Sequence, residues 1–182
     1  AQACALIMDA NGAIEHSIPD GWRCLDGPGV SAAGLSNLAT TAGVLAVDLY
    51  ISDNHVDSLG HRRWLLSNTL GPIGVGSTHE FSCLHVLGGD GSNDRLWTAW
   101  PPPGEVPIQA LHLADWLDTD LAGWSVQSDR IDLDRGLVTV TRSASGWQVE
   151  GLSMPAIPIT AILDRGEGTD LVVGASHGHF GP

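Results

Sequence analysis

The sequence predicts a mixed α+β chain whose second half is built from strands. Three observations carry that expectation. Before residue 100, some segments repeat apolar residues at helical spacing and others are short β-branched or aromatic runs. At 100–107 the run WPPPGEVP interrupts both patterns. After it, five short runs rich in Val, Ile, Leu and Thr follow one another between turn residues. The expected organisation is a first domain over 1–100, a Pro-rich hinge over 101–107 and a strand-rich extension over 108–182, of a size that suits a small β-sandwich.

Residues 1–11 place Ala3, Ala5, Leu6, Ile7 and Ala10 at helical spacing, and Asn11-Gly12 supplies the stop. A short turn is expected over Ala13 to His16, and residues 17–30 read as a loop around Trp22. TTAGVLAVDLYIS (40–52) fits a helix with Val44, Val47, Leu49, Tyr50 and Ile51 on its core side. His61 to Leu66 begins another helix. PIGVGS (72–77), FSCLHVL (81–87) and DRLWTAW (94–100) are expected strands. Three consecutive prolines then favour an extended segment. AGWSVQS, GLVTVTR, GWQVEG, PITAILD and TDLVVGAS are the strand runs that follow.

Composition excludes some partners. The chain has 182 residues, 43% of them hydrophobic, which is enough for a packed core. Its net charge is -13, and all eight basic residues are arginine. Repulsion from phosphate argues against nucleic acid and against an anionic membrane surface. No apolar run reaches the roughly 18 residues of a membrane span. The chain opens inside an apolar-periodic pattern, which reads as a piece of a longer precursor whose leader and first helical residues precede it. Cys4, Cys24 and Cys83 contain no CxxC pair, so a thiolate zinc site is not expected. Their pairing stays open: Cys24, in the loop-like GWRCLDG, pairs with either of the others, or all three are free.

The stretch SLGHRRWLLSNTLGPIGVG (58–76) carries the most information about function. On a helix, His61 shares a face with Trp64, Leu65 and Asn68, while Arg62, Arg63 and Leu66 turn away. His61 is thus expected inward, with the arginines at the acidic surface near Asp53 or Asp57. Taken alone, such a histidine is most simply a core side chain bonded to a backbone carbonyl.

Ser58, Gly60, His61, Arg62, Leu65, Leu66 and then Ile73-Gly74-Val75-Gly76 resemble a stretch of the CAP superfamily, S-x-G-H-R-x-N-I-L…I-G-V-G in its bacterial SCP-like members. Upstream, His16 in AIEHS resembles the family's Leu-x-His element, Leu35-Ser36-Asn37-Leu38-Ala39 its Gly-Glu-Asn-Leu-Ala element, and Tyr50-Ile51-Ser52-Asp53 its Trp-x-x-Glu helix end. Gly60 to Trp64 and Trp100 to Gly104 are similar to a bacterial subgroup with GHRRW and WPPxG. The likeness covers about residues 1–107. It implies a secreted protein, extracellular or in the cell envelope, with a CAP-like α-β-α sandwich around a cleft. In many members two histidines and two acids line that cleft, and some bind a divalent metal there. Carried over by position, the cleft residues are His16, Ser36, Asp53 and His61, with Ser36 replacing the first acid. The implied metal ligands, for zinc or another divalent ion, are His16, His61 and Asp53, and Glu15, Asp48 or Asp57 are the acids available to compensate for Ser36.

Two histidines and an aspartate can ligate a metal, relay protons or form a buried polar cluster. Ser36 lacks a Gly-x-Ser-x-Gly turn, so a serine hydrolase is not expected. The favoured function is a non-catalytic binding or interaction module for a lipid, carbohydrate or protein ligand. The alternative is a divalent-metal-dependent hydrolase using the same cleft, and a third reading is purely structural. His55 lies close enough in sequence to approach the cleft, His85 is expected exposed on its strand, and His177 and His179 read as a chain-end pair. The tryptophans at 97, 100, 116, 124 and 147 read as packing residues, or else as an aromatic groove for carbohydrate or lipid.

Overall fold

In the computed structural model the chain starts with helix α1 (Gln2–Asn11), ended by Gly12 in the left-handed region at φ 62°. Only a residue without Cβ takes that conformation cheaply. The structure describes residues 1–54, 56, 58–102, 122, 125–128, 130, 139–143, 146–150, 159–165 and 171–177. They fall into two compact units, residues 1–93 with 107–122 and residues 94–106 with 123–182. No described helix is long and apolar enough to cross a membrane.

In the first unit α1 is followed by α2 (Gly27–Ala33), β1 (Ser36–Ala39), α3 (Val44–Ser52), α4 (Gly60–Leu65), β2 (Gly74–Ser77) and β3 (Ser82–His85). The three strands form one antiparallel sheet in the order β1-β3-β2, with Ser36 and Gly74 both opposite His85. Cys83 and Leu38 join a cluster with Cys4, Ala5, Met8, Ala32, Ala33 and Phe81. Their neighbours Leu84 and Ala39 join a second cluster with Ala46, Tyr50 and Val86. Successive strand residues point to opposite faces, so the sheet buries both.

Helix α1 is fastened to this sheet. The Gln2 side-chain amide donates to Ser77 O at 3.0 Å and accepts from Ser77 N at 3.1 Å. Gly76 makes the approach possible, because a Cβ there would lie 2.3 Å from Ala1 C and from Gln2 N. Cys4 and Cys83 form a disulfide across 79 residues, and Cys24 is a free, exposed cysteine. A disulfide partner for Cys24 is thereby corrected, as is the alternative of three free thiols. Both bonded cysteines lie in the first core cluster, whereas Cys24 sits in the exposed loop. Closing a loop of this length contributes about 4.5 kcal/mol in the chain-entropy picture.

Two local expectations fail for identifiable reasons. Residues 27–30, expected as the end of the loop, instead open helix α2, because Asp26 Oδ1 accepts Gly29 N–H at 3.0 Å and Pro28 suits a first turn. Helix α3 buries Ala46, Tyr50 and Ser52, while Val44 is 79% exposed and Val47 is exposed too. Apart from Asp48 and Ser52 the helix is apolar all round, so its pattern has no narrow stripe to orient it, and Ala46 is the small residue on the buried side.

In the second unit β4 (Thr98–Trp100) pairs antiparallel with β5 (Ser125–Gln127), β6 (Thr139–Ser143) with β7 (Gly146–Glu150), and β8 (Ile159–Arg165) with β9 (Leu171–His177). All five strands expected after the proline run are present, and the described residues arrange them with β4 as three two-stranded sheets. The Trp100–Pro101 peptide is cis.

Candidate functional site

The site grows from the end of α3. Asp53 caps that helix in the left-handed region, with φ 51° and ψ 33°, and its N–H reaches Leu49 O at 2.8 Å. Leu59 starts α4 in the same region, at φ 48°. Left-handed backbone costs a non-glycine residue roughly 1–2 kcal/mol. Burial of the Leu59 side chain and the bonds of the Asp53 carboxylate offset that cost.

The Asp53 carboxylate does two things. Oδ1 accepts the Nδ1 proton of His61 at 2.7 Å, and Oδ2 accepts the backbone N–H of Arg62 at 3.1 Å. The second bond satisfies a first-turn amide of α4, which no capping side chain of Leu59 can reach. The Asp53 side chain is 1% exposed and that of His61 30%. Asn37 Nδ2 donates to His61 O at 3.0 Å, and the Tyr50 hydroxyl donates to Asn37 O at 3.1 Å and to Ser82 O at 3.3 Å. The Tyr50 and His61 rings lie 5.5 Å apart, tilted by 32°. Burial raises the Tyr50 hydroxyl pKa far above its usual value.

The arginines are not at the surface, and that expectation is corrected. Arg62 is 0% exposed, and Arg63 is buried too. The Arg62 guanidinium donates to Ile51 O, Ser52 O and Ala122 O. It satisfies carbonyls at the C-terminal end of α3, where a cation is electrostatically favoured. Burial pushes its pKa down to about 10, against the pull of the Asp53 charge. Burial also lowers Arg63. Helical spacing alone did not anticipate this, since the short helix α4 buries the side that carries Arg62 and Arg63 and leaves His61 part-exposed.

His16 and Ser36 belong to a different place. His16 Nδ1 donates to Ala33 O at 2.9 Å, and Ser36 Oγ donates to Ala32 O at 2.6 Å. Both satisfy the last carbonyls of α2. Among the described residues no three His, Cys, Asp or Glu side chains come together as a metal-holding group. In this arrangement His16 Nδ1 is held on Ala33 O, and the Asp53 carboxylate accepts from His61 and from Arg62 N–H.

The other candidates are dispersed. Asp48 is half-buried on α3, where desolvation raises its carboxyl pKa, and Glu15 is exposed. His85 is half-buried at the end of β3, not fully exposed. His55, Asp57, His179, Trp116 and Trp124 lie outside the described residues, as do the side chains of Trp147 and His177. Trp97 and Trp100 are half-buried. Asn37, Tyr50 and Arg62 are the site residues whose roles the sequence did not disclose. The signal available was a conspicuous arginine beside the histidine in a chain with eight cations.

Chemically, the arrangement is an imidazole whose tautomer is set by a buried carboxylate. With Nδ1–H held on Asp53, the Nε2 lone pair of His61 is left to accept a hydrogen bond or a proton. Ser36 Oγ is committed to Ala32 O and supplies no nucleophile to this pair. No family model, curated protein or solved structure matches this chain.

Proposed function

We propose that this chain is a secreted, CAP-like, non-catalytic binding module that uses the part-exposed His61 Nε2, backed by Asp53, to accept a hydrogen bond from its ligand. The observation that carries this reading is the division of labour around Asp53. Among the described residues, the Asp53 carboxylate fixes the His61 ring and the first turn of α4, while the His61 side chain stays 30% exposed. A lipid, a carbohydrate or a protein segment with a hydroxyl or amide donor suits His61 Nε2 as acceptor. Two core clusters on opposite faces of a three-stranded sheet support the α-β-α sandwich. The contact between Asp53 and His61, both cleft residues by resemblance, supports the family reading. The Cys4–Cys83 disulfide supports an oxidising, extracellular or envelope location.

One observation favours the hydrolase alternative: a carboxylate behind Nδ1 is also how metal-binding histidines are oriented. NMR titration with a short-chain phosphatidylcholine and with an N-acetylglucosamine trimer separates the two readings. The binding reading predicts that one probe shifts the His61 and Asn37 resonances, that His61→Ala abolishes the shifts, and that no turnover occurs. Zinc-dependent ester hydrolysis lost in His61→Ala, with neither probe bound, contradicts it.

A further inference from the structure

We infer that Asn11-Gly12 is a guarded deamidation site, and that its conversion releases the loop carrying Cys24 from the end of α1. It is the one Asn-Gly pair in the sequence. In such a pair the glycine nitrogen is not shielded by a Cβ. That nitrogen attacks the asparagine Cγ, an N–Cγ bond forms, the Cγ–Nδ2 bond breaks, and ammonia leaves with the proton from the glycine amide. Water then opens the succinimide to aspartate or isoaspartate.

The fold ties up both reacting groups. Asn11 Nδ2 donates to Ile7 O at 2.7 Å and to Arg23 O at 3.0 Å, and Oδ1 accepts Arg23 N–H at 2.9 Å. The Gly12 N–H is donated to Asp9 O at 3.3 Å. The carboxamide must break three hydrogen bonds to swing onto Gly12 N, and the nitrogen must leave its helix-end partner. The reaction therefore proceeds through opening of the clasp. Its product keeps an acceptor for Arg23 N–H but loses the two bonds that Nδ2 donates. A carboxylate oxygen in place of Nδ2 faces two carbonyl oxygens, Ile7 O and Arg23 O, with no proton to offer. Isoaspartate also adds a methylene to the chain at the α1 end. The Arg23 guanidinium, which donates to Ala10 O, closes the same junction from the loop side. The free thiol of Cys24 is the next residue along.

The test is to incubate the folded protein and the reduced, denatured chain in the same mildly alkaline buffer. Conversion at Asn11 is followed by peptide mass spectrometry and isoaspartyl methyltransferase labelling. The folded chain is expected to convert about tenfold more slowly or slower still, since each 1.4 kcal/mol of opening free energy is a factor of ten. Equal rates overturn the guarding. The release is tested separately with Asn11→Asp, the product side chain, by hydrogen exchange at the Arg23 amide. Faster exchange than wild type is expected, and unchanged protection overturns the release.

Discussion

The imidazole of His61 rests on Asp53, Nδ1 to Oδ1, at 2.7 Å. The other oxygen of that carboxylate caps the first turn of α4 through Arg62 N–H, so one side chain sets a tautomer and starts a helix. A site made this way costs little extra, because the helix needs the same acceptor. It also couples the exposed acceptor atom to the integrity of the α3–α4 turn.

Asp53→Asn is expected to weaken both bonds and to leave the buried Arg62 charge without its carboxylate. Breaking a buried charge arrangement on one side costs several kcal/mol, and His61 is part-exposed, so about 2–4 kcal/mol of lost stability is expected. Urea unfolding measures it. A midpoint equal to wild type would mean that Asp53 is not the cap.

Arg62→Met removes the donors for Ile51 O, Ser52 O and Ala122 O and is expected to cost about 3 kcal/mol. Arg62→Lys should recover only part of this. A single ammonium cannot reproduce the planar fork that serves three carbonyls. Paired denaturation curves give the comparison, and a lysine variant as stable as wild type would mean that the fork is not needed.

Asp48 supplies a pH prediction. Burial raises its carboxyl pKa in the folded state, so the folded chain holds that proton more tightly than the unfolded chain. The charged form therefore weakens the fold above the ordinary carboxylate range, and the penalty disappears as pH falls through that range. Asp48→Asn should give a small rise in Tm at neutral pH and none at about pH 3. Thermal melts at the two pH values check both the sign and its disappearance.

Removing the Cys4–Cys83 cross-link by a double alanine substitution should lower stability by about 4 kcal/mol, whereas Cys24→Ser should leave it nearly unchanged. Unfolding of the three proteins side by side distinguishes the bonded pair from the free thiol. A loss in Cys24→Ser matching that of the double variant would contradict the pairing.

The strands were the most legible part of the sequence. Val, Ile and Thr runs such as GLVTVTR and PITAILD declare themselves because β-branched residues between turns have few alternatives. Helix α2 was hidden, since its opening GPGV reads as loop until the Asp26 cap is considered. The face of α3 was illegible because its apolar residues spread well beyond one stripe and the polar Ser52 is among those it buries. At the site, His61 and Asp53 were found together as a motif, but the depth of Arg62 was not. A buried guanidinium depends on which carbonyls the fold leaves unsatisfied, and one of these, Ala122 O, lies 60 residues away. His16 and Ser36 matched a pattern of residue types, yet locally each does the work of a helix terminus.

The most direct test of the account is a calorimetric zinc titration of the wild-type protein beside His16→Ala and His61→Ala. With His16 held on Ala33 O and Asp53 occupied by His61 and Arg62, no micromolar site is expected, and His16→Ala should titrate like wild type. Micromolar binding lost in both variants would bring His16, His61 and Asp53 together around a metal and would make the cleft that of a hydrolase.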